Sequence, residues 1–311
     1  MHRFIVAVGV VLAIASHPQA PDAARVLAEM RQALGGAEAL ANVKGFSFNG
    51  SLTRNLGERS IQSDVEMICE LPDKCLRVTR QLGGPISPTI ADGYNGNDPI
   101  REVDARLPMP PVMMQQDNSP EAIARRRAAQ AGRMKEEFGR LTIALFGASL
   151  PGYPLEFSYI GPDNLDGRAM DALEVKGGKD FSGRLLIDAG THLPAALIWK
   201  TPPIVMMTTS QTVMTRRSTG ETREVTPPAI DTPRKLPPGA VTVTSNPTPD
   251  LMASLPLVER RRVFSEFKRV DGLMWPSRIR DFADGELAED LKLESIKVNP
   301  KIDPKRFTPS K

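Results

Sequence analysis

Asp271-Gly272 sits between two extended-looking runs in Val263 to Ile279 (VFSEFKRVDGLMWPSRI), and a second Asp-Gly break, Asp284-Gly285, leads at once into Leu287 to Asn299 (LAEDLKLESIKVN). Asp-Gly accepts the positive φ angles of a two-residue hairpin turn that most other pairs resist, so this spacing predicts consecutive antiparallel strands. In the last run Leu291 and Leu293 share one face, after which Ile296 and Val298 carry the apolar side in the opposite phase. A side-chain period of two that changes phase within a strand predicts a β-bulge, which bends the sheet. The C-terminal part of the chain is therefore expected to be a bent antiparallel meander.

The same punctuation recurs upstream. Pro21-Asp22 opens an amphipathic helix with Leu27, Met30 and Leu34 at helical spacing and Gly35-Gly36 at its end, and a second helical turn runs from Ala37 to Val43. Phe46, Phe48, Gly50 and Leu52 then alternate with Ser47, Asn49, Ser51 and Thr53, the pattern of a strand with one wet face. Further strands are expected at Gln62 to Cys69, Leu76 to Gln81, Thr89 to Asn95, Leu155 to Ile160, Ala169 to Val175, Phe181 to Asp188 and Ala195 to Lys200. Turns fall at Asp166-Gly167, Gly177-Gly178 and Ala189-Gly190. Between the two groups of strands, Ser119-Pro120-Glu121 starts a long helix whose stripe of Met134, Phe138, Leu141 and Leu145 ends at Gly147.

Two segments lack periodicity. Asn97 to Asn118 is rich in proline and methionine and reads either as a surface loop or as an adaptable apolar flap. Thr208 to Pro256 is rich in Thr, Ser, Arg and Pro, and too little apolar surface is present there to offset the entropy of ordering. It is expected to be a flexible insertion.

These phrases, taken in order, resemble the LolA/LolB-like family, bacterial envelope proteins that include the periplasmic carrier of lipoproteins to the outer membrane. The likeness is carried by Phe264 to Phe267, by Val270-Asp271-Gly272 with Trp275-Pro276, and by Ile296-Lys297-Val298-Asn299-Pro300 with Phe307. Upstream it is carried by Ala33-Leu34-Gly35-Gly36 leading to Phe46, by Leu71-Pro72-Asp73-Lys74, and by Leu186-Ile187-Asp188 with Leu193-Pro194. The resemblance implies an α+β fold in which a strongly curved antiparallel sheet forms an incomplete β-barrel. Helices would cover its concave face, and the space between would receive acyl chains. One fold hosts unrelated tasks, so the resemblance speaks more to architecture than to activity.

The first residues read as an export signal: Arg3, an apolar run from Phe4 to Ala15, then small and turn-forming residues to Ala20. The run is too short to span a bilayer, so cleavage after Ala20, or near Ser16, is expected, with a periplasmic or secreted product. No cysteine lies near the cleavage site to take a lipid anchor. What remains, 21–311, is expected to be one domain interrupted at 208–256, without a transmembrane segment. Net charge is +3, with Lys and Arg spread along the chain, which argues against nucleic acid as a partner. Cys69 and Cys75 are the only two cysteines. An exported chain favours their pairing. Strand phase argues the other way, because Cys69 shares a face with Val65 and Met67 whereas Cys75 alternates with Leu76 and Val78; two separate thiols are the alternative.

Chemistry is poorly represented. Outside the leader the chain has one histidine, His192, in the turn-like Asp188-Ala189-Gly190-Thr191-His192, and it has no nucleophile elbow, phosphate loop or dinucleotide fingerprint. No cofactor, metal site or catalytic residue is expected, and the chain is read as a non-enzyme. An acyl chain of about twelve methylenes gains on the order of 10 kcal/mol on leaving water, so a carrier needs a large apolar lining. Candidate lining residues, taken from the apolar strand faces, are Phe48, Leu52, Val65, Met67, Leu76, Val78, Leu185, Ile187, Leu197, Trp199 and Trp275. The helix carrying Met134, Phe138, Leu141 and Leu145 is the candidate gate that fills the space and then moves. The expected function is that of an exported protein binding a hydrophobic small molecule or lipoprotein acyl chain. The alternative is an envelope regulatory or protein-interaction module of the same fold, with a protein partner.

Overall fold

The computed structural model describes residues 22–83, 87–104, 119–148, 154–178, 181–207, 213–216, 222–225, 235–243 and 248–308. The expected leader, the methionine-rich stretch from 105 to 118, and parts of the expected insertion lie outside the described residues.

Asp22 caps helix α1 (Ala23–Leu34), its carboxylate accepting from the Arg25 backbone N–H at 2.7 Å, and the short α2 (Ala37–Ala41) follows. Five strands then run in order: β1 (Gly45–Leu56), β2 (Arg59–Glu70), β3 (Lys74–Leu82), β4 (Thr89–Asn95) and β5 (Asp98–Asp104). Helix α3 (Pro120–Phe146) begins at the Ser119 cap and ends at Gly147 in the left-handed conformation, the two boundaries its sequence sets. After it come β6 (Leu155–Leu165), β7 (Arg168–Gly177), β8 (Ser182–Asp188) and β9 (Pro194–Thr201). The last three long strands are β14 (Val258–Val270), β15 (Leu273–Ala283) and β16 (Glu286–Val298), and a 3-10 turn spans Pro304–Phe307.

These strands form a single 12-stranded sheet in the order β5-β4-β3-β2-β1-β16-β15-β14-β9-β8-β7-β6. Each neighbouring pair is antiparallel, and the sheet stays open, with β5 and β6 at its edges. The three strands that close the sequence therefore occupy the middle of the sheet and join its two meanders. Asp166-Gly167, Asp271-Gly272 and Asp284-Gly285 all turn with positive φ at both residues, as a primed hairpin turn requires. The phase change in β16 is a bulge: Asn49 pairs with Ser295 and Gly50 with Leu293, leaving Glu294 as the extra residue. At Gly50 a Cβ would lie 2.1 Å from the Lys292 carbonyl oxygen, so only glycine allows the strands this close.

Two expectations are corrected. β5 lies where a loop was expected; Pro99 obscured it, and proline is tolerated there because β5 is an edge strand. Short elements occur within the expected insertion and just before it. β10 (Ile204–Met207) pairs in parallel with β13 (Ala240–Val243), β11 (Val213–Arg216) forms a hairpin with β12 (Thr222–Val225), and helix α4 (Pro249–Ser254) is capped by Thr248. Runs of four residues are too short to show periodicity. The expected pairing of the two cysteines is present: Cys69 stands directly opposite Cys75 across the β2–β3 hairpin and the two form a disulfide. The phase argument failed because it assumed that Leu76 and Val78 share the apolar face of Val65 and Met67. In fact Leu76 lies opposite Ile68 and packs with Ile100 and Phe307 on the other side of the sheet.

Candidate functional site

The pairing register fixes which side chains share a face. Phe46, Phe48, Leu52 and Arg54 of β1 lie beside Cys69, Met67, Ser63 and Ile61 of β2, and Cys75, Arg77 and Thr79 of β3 continue the same face toward Tyr94, Asp92 and Ile90 of β4. On the other side of β1 this face continues through Leu291 and Glu289 of β16, Ile279 and Asp281 of β15, and Phe264 and Arg262 of β14. Helix α3 packs against it. Phe138 stacks on Phe46 with ring centroids 6.3 Å apart and meets the edge of Tyr94 at 5.8 Å, while Phe146 lies 6.2 Å from Trp275.

Among these apolar side chains runs a row of charge. Arg54, Glu289, Asp281 and Arg262 stand directly opposite one another on four adjacent strands. Arg54 Nε donates to Glu289 Oε1 at 2.7 Å, and Arg262 binds Asp281 through two hydrogen bonds of 2.8 Å. Arg77 Nη2 lies 3.7 Å from Glu289. From above, Glu137 of α3 reaches Arg262 at 3.4 Å and Arg140 at 2.9 Å. Arg140 is buried, paired with Glu136 as well, and its guanidinium lies 4.9 Å from the Trp199 ring and 5.4 Å from that of Phe181. Burial alone would raise the pKa of Glu289, but Arg77, Arg54 and Arg262 outweigh it and hold the carboxyl below its usual range. Burial likewise favours the neutral form of Arg262, and Asp281, Glu137 and Glu289 reverse that effect.

Between α3 and β1–β4, and bounded by β14–β16, lies a cavity of about 390 Å³. Its apolar wall is formed by Phe48, Met67, Ile90 and Tyr94 from one side and by Ile279 and Leu291 from the other; Met134, Phe138 and Leu141 of α3 form its roof. Burial and then the nearby Asp73 raise the pKa of the Tyr94 phenol, so it remains neutral. Arg54, Arg77, Arg101, Arg133 and Arg262, with Asp92, Glu137, Asp281 and Glu289, make up its polar wall. A larger hollow of about 960 Å³ lies along α3 toward β9, and half of its lining residues are charged, among them Glu136, Arg184, Lys200 and Glu259. The smaller cavity is the better match for an apolar guest, since ligand pockets are mostly apolar with a few placed polar groups.

Of the lining candidates, Phe48 and Met67 face the 390 Å³ cavity and Trp199 faces the larger hollow. Leu52, Val65, Leu185, Ile187, Leu197 and Trp275 are buried in the core between the sheet and the helices. Leu76 and Val78 belong to the separate cluster around Phe307, on the opposite face. Met134, Phe138 and Leu141 border the cavity, whereas Leu145 is buried deeper. Sequence reasoning missed the arginine and carboxylate row, because the alternation in Arg54, Arg262, Asp281 and Glu289 reads as a wet face when strand neighbours are unknown. His192 adopts a positive φ of 56° at the turn after β8, with Glu29 3.7 Å away. Among the described residues no group of three His, Cys, Asp or Glu side chains is placed to hold a metal, and no helix is long and apolar enough to cross a membrane.

No protein-family model and no curated protein matches the chain. Among solved structures, the chain is similar to a LolA superfamily protein from Nitrosomonas europaea, with 10% identity, a TM-score of 0.45, and 93% of this chain and 98% of the other covered. It is also similar to a DUF1329 family protein from Desulfovibrio piger, with 10% identity and a TM-score of 0.42 over 92% of this chain and 96% of that one. An outer membrane lipoprotein-sorting protein domain from Vibrio parahaemolyticus aligns with 8% identity and a TM-score of 0.41, covering 92% and 97% of the two chains.

Proposed function

We propose that the chain is an exported binding protein that holds a hydrophobic ligand, a lipid or an acyl chain, between α3 and the sheet and performs no covalent chemistry on it. The observation that carries this reading is the 390 Å³ cavity with apolar floor and roof, a size within the range of small-molecule sites. Its placement on a concave face is supported by the reach of α3. Phe138 touches Tyr94 of β4, and Arg140, two residues on, touches Trp199 of β9. Seven strand intervals separate β4 from β9 in the sheet order, about 34 Å on a flat sheet at the usual strand spacing. Side chains two positions apart leave a helix on nearly opposite sides, which supports a sheet curved around α3.

The same helix suggests how the cavity opens. Phe138, Leu141, Ile143, Leu145 and Phe146 are all at most 6% exposed. At roughly 1.5–3 kcal/mol each, withdrawing them would cost as much as the whole fold is worth. The half of α3 before Met134 is largely exposed, and Gly132, a poor helix former, separates the two halves. In this reading the buried half is a fixed pillar and the exposed half, with Met134, is the lid.

The test is uptake of a dansyl-labelled undecanoic acid by the exported chain, together with native mass spectrometry for copurified lipid. Saturable uptake that is lost when Met67→Trp fills the floor of the cavity is expected. A clean ligand-free mass with no uptake by the unaltered protein rejects the reading.

A further inference from the structure

We propose that the ligand is an amphiphile with an anionic head group, and that Arg77, assisted by Arg133, is its anchor. This rests on the hydrophobic-ligand reading above. The cavity wall carries five arginines against four carboxylates, and three of those carboxylates already accept a hydrogen bond from an arginine other than Arg77. Glu289 receives Arg54 at 2.7 Å, Asp281 receives Arg262 at 2.8 Å, Glu137 receives Arg140 at 2.9 Å, and Asp92 lies 3.7 Å from Arg101. Arg77 is left over. Its Nε and Nη2 are buried with no hydrogen-bond acceptor among the described residues, the closest carboxylate contact being the 3.7 Å approach to Glu289. Arg133, exposed on α3 at the same cavity, makes no ion pair among the described residues.

A guanidinium presents its N–H groups as a planar fork that fits a carboxylate or phosphate, and leaving those donors buried without an acceptor is unfavourable. Asp92, opposite Arg77 in the register, also has a buried oxygen without a donor, so a head group with an adjacent hydroxyl fits as well as a bare anion. The apolar direction is set by the sheet. Met67 stands directly across from Arg77 on β2, and Phe48 directly across from Met67 on β1. A head held at Arg77 thus sends its tail across Met67 and Phe48 beneath the α3 roof.

Displacement of the dansyl probe by dodecanoate, dodecyl phosphate and dodecanol, three guests with one chain length, tests the proposal on the full mature protein. The anionic guests are expected to bind about tenfold more tightly than dodecanol. That advantage shrinks as salt rises from about 50 mM to about 500 mM. Arg77→Gln should remove most of the advantage and leave dodecanol within about twofold, while Arg133→Gln, on an exposed helix face, should remove part of it. Preference for the phosphate points to a phospholipid-type head and preference for the carboxylate to a free fatty acid; either supports the proposal. Equal binding of dodecanol and dodecanoate overturns it and leaves the cavity reading standing. Equal weakening of both by Arg77→Gln, with Arg133→Gln unchanged, also overturns it. If neither the probe nor any of the three guests binds, the hydrophobic-ligand reading itself falls.

Discussion

Arg54 of β1 and Glu289 of β16 face each other in register at the centre of the sheet, with Nε and Oε1 2.7 Å apart, and Arg77 brings a second cation toward the same carboxylate. This arrangement ties stability to pH. The folded pKa of Glu289 lies below its ordinary value of about 4.3, as does that of Asp290, which accepts hydrogen bonds from Arg278. A depressed carboxylate stabilises the fold above the unfolded pKa, and that contribution is lost as pH falls through the folded pKa. The urea midpoint is expected to hold steady from about pH 7 to about pH 5 and to decline below about pH 4.5. Glu289→Gln should be less stable at neutral pH, because it leaves Arg54 and Arg77 without their carboxylate, and should lose part of the acid slope. An unaltered slope in the variant would show that the row does not govern acid unfolding.

Phe138 and Met134 are the positions at which the proposed division of α3 into pillar and lid is tested. Phe138 is 6% exposed and lies between Phe46 and Tyr94, so Phe138→Ala should cost about 3–5 kcal/mol in denaturant unfolding. Met134 is half-buried at the roof of the cavity, and Met134→Ala should cost about 1 kcal/mol or less while altering probe affinity. Comparable losses of stability at both positions would place the whole helix in the core.

The Cys69–Cys75 bond closes a short loop, and the loop-closure relation limits its worth to about 2 kcal/mol. The denatured, unreduced protein should show no free thiol. The Cys69→Ala, Cys75→Ala double variant should fold with a loss of about 1–2 kcal/mol, since the β2–β3 register is also fixed by Val65, Met67 and the Leu76–Ile68 pair on the two faces. Two reactive thiols in the unaltered protein would refute the pairing.

Much of this architecture was legible because local chemistry and tertiary structure agree. Asp22, Ser119 and Gly147 mark helix ends by capping, three of the four Asp-Gly pairs mark primed turns while Asp92-Gly93 lies inside β4, and Leu293 and Ile296 reveal the bulge through a break in parity. What could not be read depends on contacts between segments distant in sequence. The apolar character of Leu76 and Val78 is real, but Phe307, far down the chain, decides which face of β3 it serves. Likewise Arg54 and Glu289 are 235 residues apart, and neither shows in sequence that the other completes it. Periodicity identifies a two-faced strand; it does not say which face is covered.

Gly132 offers the sharpest test of the lid. It lies within α3, where a Cβ would meet nothing within 4 Å, so Gly132→Ala adds helix propensity without a clash. The substitution should stabilise the protein by about 0.5–1 kcal/mol, read as an upward shift in the urea midpoint. If the exposed half of α3 must swing away at this position for a ligand to enter, stiffening it stabilises the closed state. Stopped-flow mixing with the dansyl probe should then show slower association, with dissociation slowed by a similar factor because both directions cross the same open state. Affinity would change little, since the bound and free proteins are both closed. A stabilised variant whose association rate matches that of the unaltered protein would mean that ligand enters by another route and that α3 is a fixed roof along its whole length.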